Sequence, residues 1–245
     1  MNEPRHDPGL YGRSFADVYD SWYPGGDEAQ IVEFLSEELS PGARVLEWGV
    51  GTGRVALPLT DAGFTVTGAD SSPEMLAHLR SKDPAGSVEP VLADAGDPAS
   101  WPETVRRGGF DCVLAGCNLL LNLTAEGAQQ ACVAGSAALL ATGGVFVCEM
   151  SPVLLPDTRS VHTTSSSAEV GGRLLVTTDA DPGSGIVRGR HHQDGADGPV
   201  LRRWEIRALD RPTLRGWCDA AGLTEAGGFA NWDRDAPDGA HPVLD

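Results

Sequence analysis

Three acidic residues in the first half of the chain each stand where a short apolar run ends. Glu47 lies near the end of RVLEW, Asp70 ends FTVTGAD and Asp94 ends SVEPVLAD. A carboxylate in such a position can accept two hydrogen bonds at once, and those of Asp70 could come from both hydroxyls of a ribose. Asp94 is then within reach of the base, so the three acids predict a cradle for a nucleoside.

A glycine-rich turn follows the first of these acids. Gly49, Gly51 and Gly53 come directly after a predicted strand. Glycine lets the backbone approach a bound nucleotide and leaves amide groups exposed at the start of a helix. Gly51, Gly53 and Ala56 also satisfy the dinucleotide pattern G-x-G-x-x-A, with Asp70 about 20 residues further on. An NAD(P)-dependent oxidoreductase is therefore one interpretation.

The acids favour a different ligand. A dinucleotide calls for contacts to its pyrophosphate and gives Glu47 and Asp94 no role. S-adenosylmethionine (SAM) has no phosphate and carries a positive sulfonium, which suits an acidic cradle. The pattern therefore predicts SAM as the cofactor and S-adenosylhomocysteine as its product.

The elements that must position these residues alternate between strand and helix. Ser72 can cap one of the helices, and Pro73 suits its first position. Helical crossovers join parallel strands, so the predicted fold is α/β, a Rossmann-like and mostly parallel sheet with helices on both faces. Ligands bind such sheets at the carboxyl ends of the strands. The predicted strands cover 44–48, 64–70, 87–94, 110–116 and 143–149.

The pattern changes from about residue 155. A loop at 163–167 leads to three predicted strands, GRLLVTT, IVRGRHH and VLRRWEIRAL, which are separated by turn signals and followed by a helix over 212–221. These strands predict an inserted antiparallel meander that roofs the acceptor site or forms an oligomer contact. We divide the chain into an aromatic N-terminal lid (1–26), a SAM-binding core (27–154), the meander (155–210) and a C-terminal helix with strands that complete the core (211–245).

The order of the motifs resembles that of class I SAM-dependent methyltransferases. VLEWGVGTG, GADSSPEML, LADAGD, FDCVLAGCNLLLNL and GGVFVCE carry the resemblance over residues 40–150, with a looser match over 203–230. Met75 could equally be part of a helix core. The resemblance implies a set of cofactor contacts: Glu47, Gly49 and Gly51 at the methionine end, Asp70 at the ribose, Ser71 and Met75 beside the adenine, and Asp94 with Ala95 at its edge.

The residues after the fourth predicted strand bear on the acceptor. Family members line the pocket under the sulfonium here, which implies this role for Cys117 and Asn118, although Cys117 could also be a small buried residue. The branch that methylates nucleic acid bases carries an Asn-Pro-Pro-aromatic motif at this point. This chain has Cys117-Asn118-Leu119-Leu120 instead, which argues against base methylation.

The segment LYGRSFADVYDSWY is similar to the aromatic entry segment of small-molecule methyltransferases, especially those of antibiotic and amino-sugar biosynthesis. The resemblance implies that Tyr11, Tyr19 and Trp22 cover the sulfonium and the carboxylate of SAM, with cation–π attraction as one contribution. A helix that packs its aromatic rings on the core is the alternative.

His191 and His192 are adjacent on a predicted strand and point to opposite faces, so only one of them can enter a site. Either could be a general base or a solvated surface residue. With Tyr11 and Asn118 they are the candidate catalytic residues. Since the chain shows no compelling base and a neutral amine needs none, N-methylation in natural-product biosynthesis is favoured over O-methylation. A SAM-binding protein without catalysis is a further alternative.

Composition restricts the partners. The formal net charge of -17 repels phosphate backbones, which favours a small-molecule acceptor over nucleic acid. The five cysteines form no C-x-x-C pair, and no cluster has metal-ligand spacing, so we expect neither disulfides nor a metal. No apolar run reaches the roughly 18 residues of a membrane span, nor is there a signal-like N-terminus. We expect a cytoplasmic enzyme without membrane contact, with homo-oligomerisation through meander edges as an option.

The assignment of Asp70 gives a first prediction. Asp70→Ala removes two charge-assisted hydrogen bonds, each worth about 1.5–3 kcal/mol, and should weaken SAM binding tenfold or more. Isothermal calorimetry measures the affinity, and circular dichroism checks that the variant is folded. Unchanged affinity in a folded variant contradicts the assignment.

Overall fold

The structure is a computed structural model that describes residues 7–166, 174–195, 198–236 and 243–244. Its main sheet has six strands among the described residues: β1 (Arg44–Trp48), β2 (Thr65–Asp70), β3 (Val88–Leu92), β4 (Phe110–Ala115), β5 (Leu140–Met150) and β10 (Val243–Leu244). Their order in the sheet is β10-β5-β4-β1-β2-β3. Strands β1 to β5 are parallel, and β10 runs antiparallel to the end of β5. The predicted Rossmann-like sheet is confirmed.

Helices cover both faces of this sheet because the side chains of each strand alternate between two apolar layers. Val45 of β1 packs in one layer, while Leu46 and Trp48 pack in the other. Ser72 accepts the Met75 amide at 3.2 Å and Pro73 begins the helix, as predicted. The first layer contains residues of α3 (Glu28–Glu38), α4 (Ala56–Asp61) and α5 (Pro73–Lys82), and the second those of α8 (Ala128–Leu139) and α9 (Arg211–Ala220).

A second, separate sheet has four antiparallel strands among the described residues: β6 (Ser160–Ser166), β7 (Leu174–Asp181), β8 (Ile186–Gly195) and β9 (Gly198–Arg207). Their order in the sheet is β6-β7-β8-β9. The expected loop at 163–167 is wrong for residues 163–166, which belong to β6 and pair with β7. A fourth strand forms here because β7 offers it a row of backbone partners, which the local sequence does not reveal. Residues 167–173 and 196–197 of the predicted meander lie outside the described residues.

Three further short helices border the cavity or the second sheet: α1 (Leu10–Phe15), α2 (Tyr19–Trp22) and α7 (Leu119–Asn122). A fourth, α6 (Glu103–Arg106), precedes β4. The segment predicted as an aromatic lid (1–26) thus contains two short helices, α1 and α2, while residues 1–6 lie outside the described part. Phe15 is fully buried, and its burial gives α1 a packing partner that propensity alone does not supply.

Arg202 joins this N-terminal segment (residues 7–26) to the second sheet. Its guanidinium is buried and donates to both carboxylate oxygens of Asp17, at 2.5 and 2.8 Å, and to the Ser14 carbonyl at 2.5 Å. The same group lies 5.5 Å from the ring centre of Trp22. A planar, bidentate contact of this kind fixes orientation as well as distance. The segment is thereby held against the inner face of the second sheet.

We expect Asp17→Ala to lower the free energy of unfolding by about 1–3 kcal/mol, because it leaves buried guanidinium donors without their acceptor. Urea unfolding followed by circular dichroism measures the change. Glu103→Ala is the matched control, since it breaks the exposed Glu103–Arg107 pair and should cost less than about 0.5 kcal/mol. Equal losses in the two variants contradict the role given to Arg202.

Candidate active site

A cavity of about 840 Å³ opens at the carboxyl ends of the parallel strands. Its walls come from the N-terminal segment, the loops after β1 to β4, the end of β5 and the inner face of β9. It lies where the strand order turns from β1 to β4, the usual place for a ligand in such sheets. The predicted site residues that line it are Tyr11, Tyr19, Trp22, Gly49, Gly51, Asp70, Ser71, Met75, Asp94, Ala95, Cys117 and Asn118.

Asp70 organises the nucleoside side of the cavity. Its carboxylate accepts the Gly51 amide at 2.9 Å and the Ser72 amide at 2.8 Å, one on each oxygen. Burial raises the pKa of Asp70, while these amides lower it. Gly49 and Gly51 have φ values of 70° and 55°, the left-handed region that favours glycine. The carboxylate thus ties the turn after β1 to the end of β2, and each oxygen keeps a second lone pair.

The loop after β3 is built in a similar way. Asp94 accepts the Gly96 amide at 2.8 Å on one carboxylate oxygen, and its carbonyl accepts the Trp101 indole N–H at 2.7 Å. Ser71 donates to the Pro8 carbonyl at 2.8 Å, which joins the N-terminal segment to β2. Met75 both packs in the interior, with 3% of its surface exposed, and lines the cavity. Its two interpretations are therefore compatible.

Glu47 is not among the residues that line the cavity. Only 6% of its surface is exposed, and its Oε2 atom has no hydrogen-bond partner among the described residues. Burial raises the pKa of Glu47 to about 8, Arg54 lowers it and Asp70 raises it. A buried carboxylate without a partner calls for either a proton or a nearby cation.

The turn after β4 is strained. Cys117 and Asn118 have φ values of 52° and 61°, which non-glycine residues adopt rarely and at a cost of about 1–3 kcal/mol each. Two contacts hold the turn: Glu149 Oε2 accepts the Cys117 amide at 2.8 Å, and Asn118 Oδ1 accepts the Ser151 amide at 2.6 Å. The conformation directs both residues to the cavity wall.

Sequence reasoning missed part of the site. Arg54 lines the cavity, and so does Glu149, which ends a strand as the other acids do. Arg54 donates to Asp27 at 2.8 Å, to Glu28 at 2.7 Å and to Cys117 Sγ at 2.8 Å. Arg54 follows the glycine turn directly, but no local sequence pattern predicts its three partners. Tyr23 and Trp204 also line the cavity.

The histidines do not have the expected access. They do point to opposite faces, since His191 pairs with Arg202 and His192 with Leu201. His191 packs against the rings of Phe15 and Trp22 and accepts the Trp204 indole N–H at 3.0 Å. Burial and Arg202 lower the pKa of His191. His192 is exposed, and neither residue lines the cavity. We therefore withdraw both as candidate bases.

Within the described residues, no group of three or more His, Cys, Asp or Glu side chains could hold a metal ion. The helices of the same residues include none that is long and apolar enough to cross a membrane.

Comparison with known proteins identifies the class. A family model for a methyltransferase domain matches residues 45–144. YqeM of Bacillus subtilis, whose name describes a methyltransferase, is 32% identical over 108 residues, which is 44% of this chain and 42% of that protein. The chain thus matches about two fifths of the length of this relative.

Two solved structures resemble the whole chain. The CcbJ methyltransferase from Streptomyces caelestis has a TM-score of 0.84 and 29% identity, over 98% of this chain and 97% of its own. SAM-bound CalS10 from Micromonospora echinaspora, an amino pentose methyltransferase involved in calicheamicin biosynthesis, has a TM-score of 0.65 and 21% identity, over 100% and 98%.

Residues 45–144 therefore form a methyltransferase domain, in a chain that has the fold of SAM-dependent methyltransferases. The predicted class, the enzyme type and SAM as the cofactor are confirmed. The interpretation as an NAD(P)-dependent oxidoreductase is set aside.

The pKa of Glu47 predicts a pH dependence of SAM binding. Without a ligand Glu47 is mostly protonated at neutral pH, and a bound cation favours its ionised form. The affinity should therefore rise from about pH 6 to about pH 8, level off above that, and be accompanied by proton release. Calorimetry in two buffers of different ionisation enthalpy measures both effects. Glu47→Gln should remove the dependence, and an unchanged pH profile in this variant contradicts the prediction.

Proposed function

We propose that the protein transfers the methyl group of SAM to the amine nitrogen of a small molecule in natural-product biosynthesis. The observation that carries the proposal is the cavity, which is lined by carboxylates and aromatic rings. Its roughly 840 Å³ lies within the range of ligand sites and provides room for the cofactor and a small acceptor. A cavity of this composition attracts cations.

The residues on the nucleoside side fit SAM. Asp70 has lone pairs left for the ribose hydroxyls, and Asp94 for the adenine amino group. The turn requires glycine at Gly49, because a Cβ atom there would lie 2.7 Å from Leu119 Cδ1 and the backbone has a φ of 70°. The acids that line the cavity provide the negative field that a sulfonium requires. When bound, SAM supplies an electrophilic methyl group.

The aromatic residues of the N-terminal segment close the other side. Tyr11 and Tyr19 lie with their ring centres 6.3 Å apart, and Tyr23 is 5.1 Å from Tyr19. Burial raises the pKa of Tyr11 and raises that of Tyr19 to about 12, so both phenols keep their protons at neutral pH. We assign them to cation–π contact and hydrogen bonding, with Tyr11 and the Asn118 amide orienting the acceptor.

An amine suits this site better than a hydroxyl. An alcohol holds its proton more tightly than an ammonium group does and calls for an imidazole base, and no histidine is among the described residues that line the cavity. An amine attacks once it is neutral. Catalysis then depends mainly on holding the nitrogen in line with the methyl group and excluding water, which can supply about 7–11 kcal/mol. The amino pentose acceptor class of CalS10 agrees with this assignment.

A turnover assay tests the proposal. The purified protein is incubated with SAM and pairs of compounds that differ only in an amine or a hydroxyl: amino sugars, cyclic secondary amines and arylalkylamines. Mass spectrometry detects S-adenosylhomocysteine and the methylated product. Methylation of amines alone supports the proposal. Methylation of the hydroxyl members alone, or of nothing in the presence of tightly bound SAM, contradicts it.

Replacing the histidines gives a further prediction. His191→Ala and His192→Ala should each lower kcat by less than about 100-fold, because neither imidazole reaches the cavity. His192→Ala, on the outer face, serves as the control for the loss of packing against Trp22 in His191→Ala. A loss of several thousandfold in either variant with SAM affinity intact would restore a histidine base and favour O-methylation.

A further inference from the structure

Among the described residues, four carboxylates line the cavity. Three of them are accounted for by the nucleoside side or by an ion pair. Asp70 and Asp94 each bind backbone amides on the nucleoside side. Asp27 is paired with Arg54 at 2.8 Å. Glu149 lies away from the nucleoside side and, within the described part of the chain, has no cationic hydrogen-bond partner; its Oε2 atom accepts the Cys117 amide at 2.8 Å. Its other oxygen is available to a ligand.

The position of Glu149 places it on the acceptor side. It lies at the end of β5, one residue after Cys148, which pairs with Ala115 of β4. The Cys117 amide anchors it to the strained turn, where Asn118 also lines the cavity. Nucleoside-side residues belong to β1, β2 and β3, whereas Glu149 belongs to the opposite half of the sheet.

Among the described residues, several charged or titratable groups influence Glu149. They are Asp27 at the start of α3, Arg54 before α4 and Cys117 after β4. Burial raises the pKa of Glu149; the Cys117 amide lowers it, Asp27 raises it and Arg54 lowers it. Burial raises the pKa of the Cys117 thiol to about 12, and Arg54 holds Asp27 in an ion pair. A carboxylate with a raised pKa is the better proton acceptor at neutral pH.

We propose that Glu149 binds the protonated amine of the acceptor and takes its proton before the methyl group is transferred. The proposal rests on the proposed function and names the group that recognises the substrate. One proton moves from the ammonium nitrogen to the free oxygen of Glu149 and then to solvent. The nitrogen lone pair forms the new bond to the methyl carbon, while the carbon–sulfur bond breaks with its electron pair left on sulfur.

This arrangement also selects the acceptor. The amide of Cys117 holds one carboxylate oxygen in place, so the other meets the ammonium group without reorganisation. A charge pair in a partly buried site is stronger than in water, and a hydroxyl in the same place offers no charge. Glu149 therefore discriminates amine from hydroxyl in addition to moving the proton.

Glu149→Gln tests the proposal, because it keeps the size of the side chain and an oxygen for the Cys117 amide but removes the charge. With the amine of highest wild-type kcat/KM from the turnover panel, kcat/KM should fall by about 100-fold or more near neutral pH. The loss should shrink as the pH approaches the pKa of the amine itself, since neutral amine then forms without a base. SAM affinity, measured by calorimetry, should change by less than about threefold.

Two variants control this experiment. Glu103→Gln removes one negative charge from an exposed pair outside the cavity and should change kcat/KM by less than about twofold. Glu149→Asp keeps a carboxylate and should retain the wild-type form of the pH profile. If Glu149→Gln fails to fold or to bind SAM, the pH profile of Glu149→Asp tests the proposal instead.

Wild-type kcat/KM and an unchanged pH profile in Glu149→Gln overturn the role of Glu149 while leaving the proposed function intact. A pH profile of Glu149→Asp that requires the neutral amine does the same. A wild-type enzyme that methylates only hydroxyl compounds overturns the proposed function itself.

Discussion

The site depends on one partly buried carboxylate that accepts two backbone amides from different loops. Asp70 holds Gly51 after β1 and Ser72 after β2, at 2.9 and 2.8 Å. An ionised group is costly to bury unless hydrogen bonds replace its hydration, and these two amides do so. Because the same contacts fix the glycine turn, the shape of the nucleoside side and the charge of Asp70 cannot be changed independently.

The other walls of the cavity come from elements far apart in sequence. Phe15 and Trp22 pack on His191 of the second sheet, and Arg202 joins Asp17 to β9. Asp20 of the same segment accepts Thr52 Oγ1 at 2.5 Å and Lys82 at 3.0 Å, which ties α2 to the main sheet. The N-terminal segment therefore contacts both sheets and completes the cavity between them. Its aromatic rings serve packing and cavity lining at once.

The acceptor side combines strain with charge. The left-handed turn at Cys117 and Asn118 persists because Glu149 and the Ser151 amide hold it. Strain of this kind is maintained only where the surroundings over-determine it, and such places are often functional. Here the group that holds the turn is also the carboxylate with an oxygen left for the acceptor.

Local pattern by itself determined the parallel sheet, the cap at Ser72 and the strand-end acids Asp70 and Asp94, because each depends on periodicity or on a few neighbouring residues. It also indicated the class of enzyme through the order of its motifs. Tertiary structure decided the rest. Strand β6 needs β7 as its partner, and the three partners of Arg54 come from α3 and from the turn after β4. His191 is removed from the cavity by Phe15 and Trp22, more than 160 residues earlier in the chain. Such long-range contacts form only when the chain is folded, so no local pattern reports them.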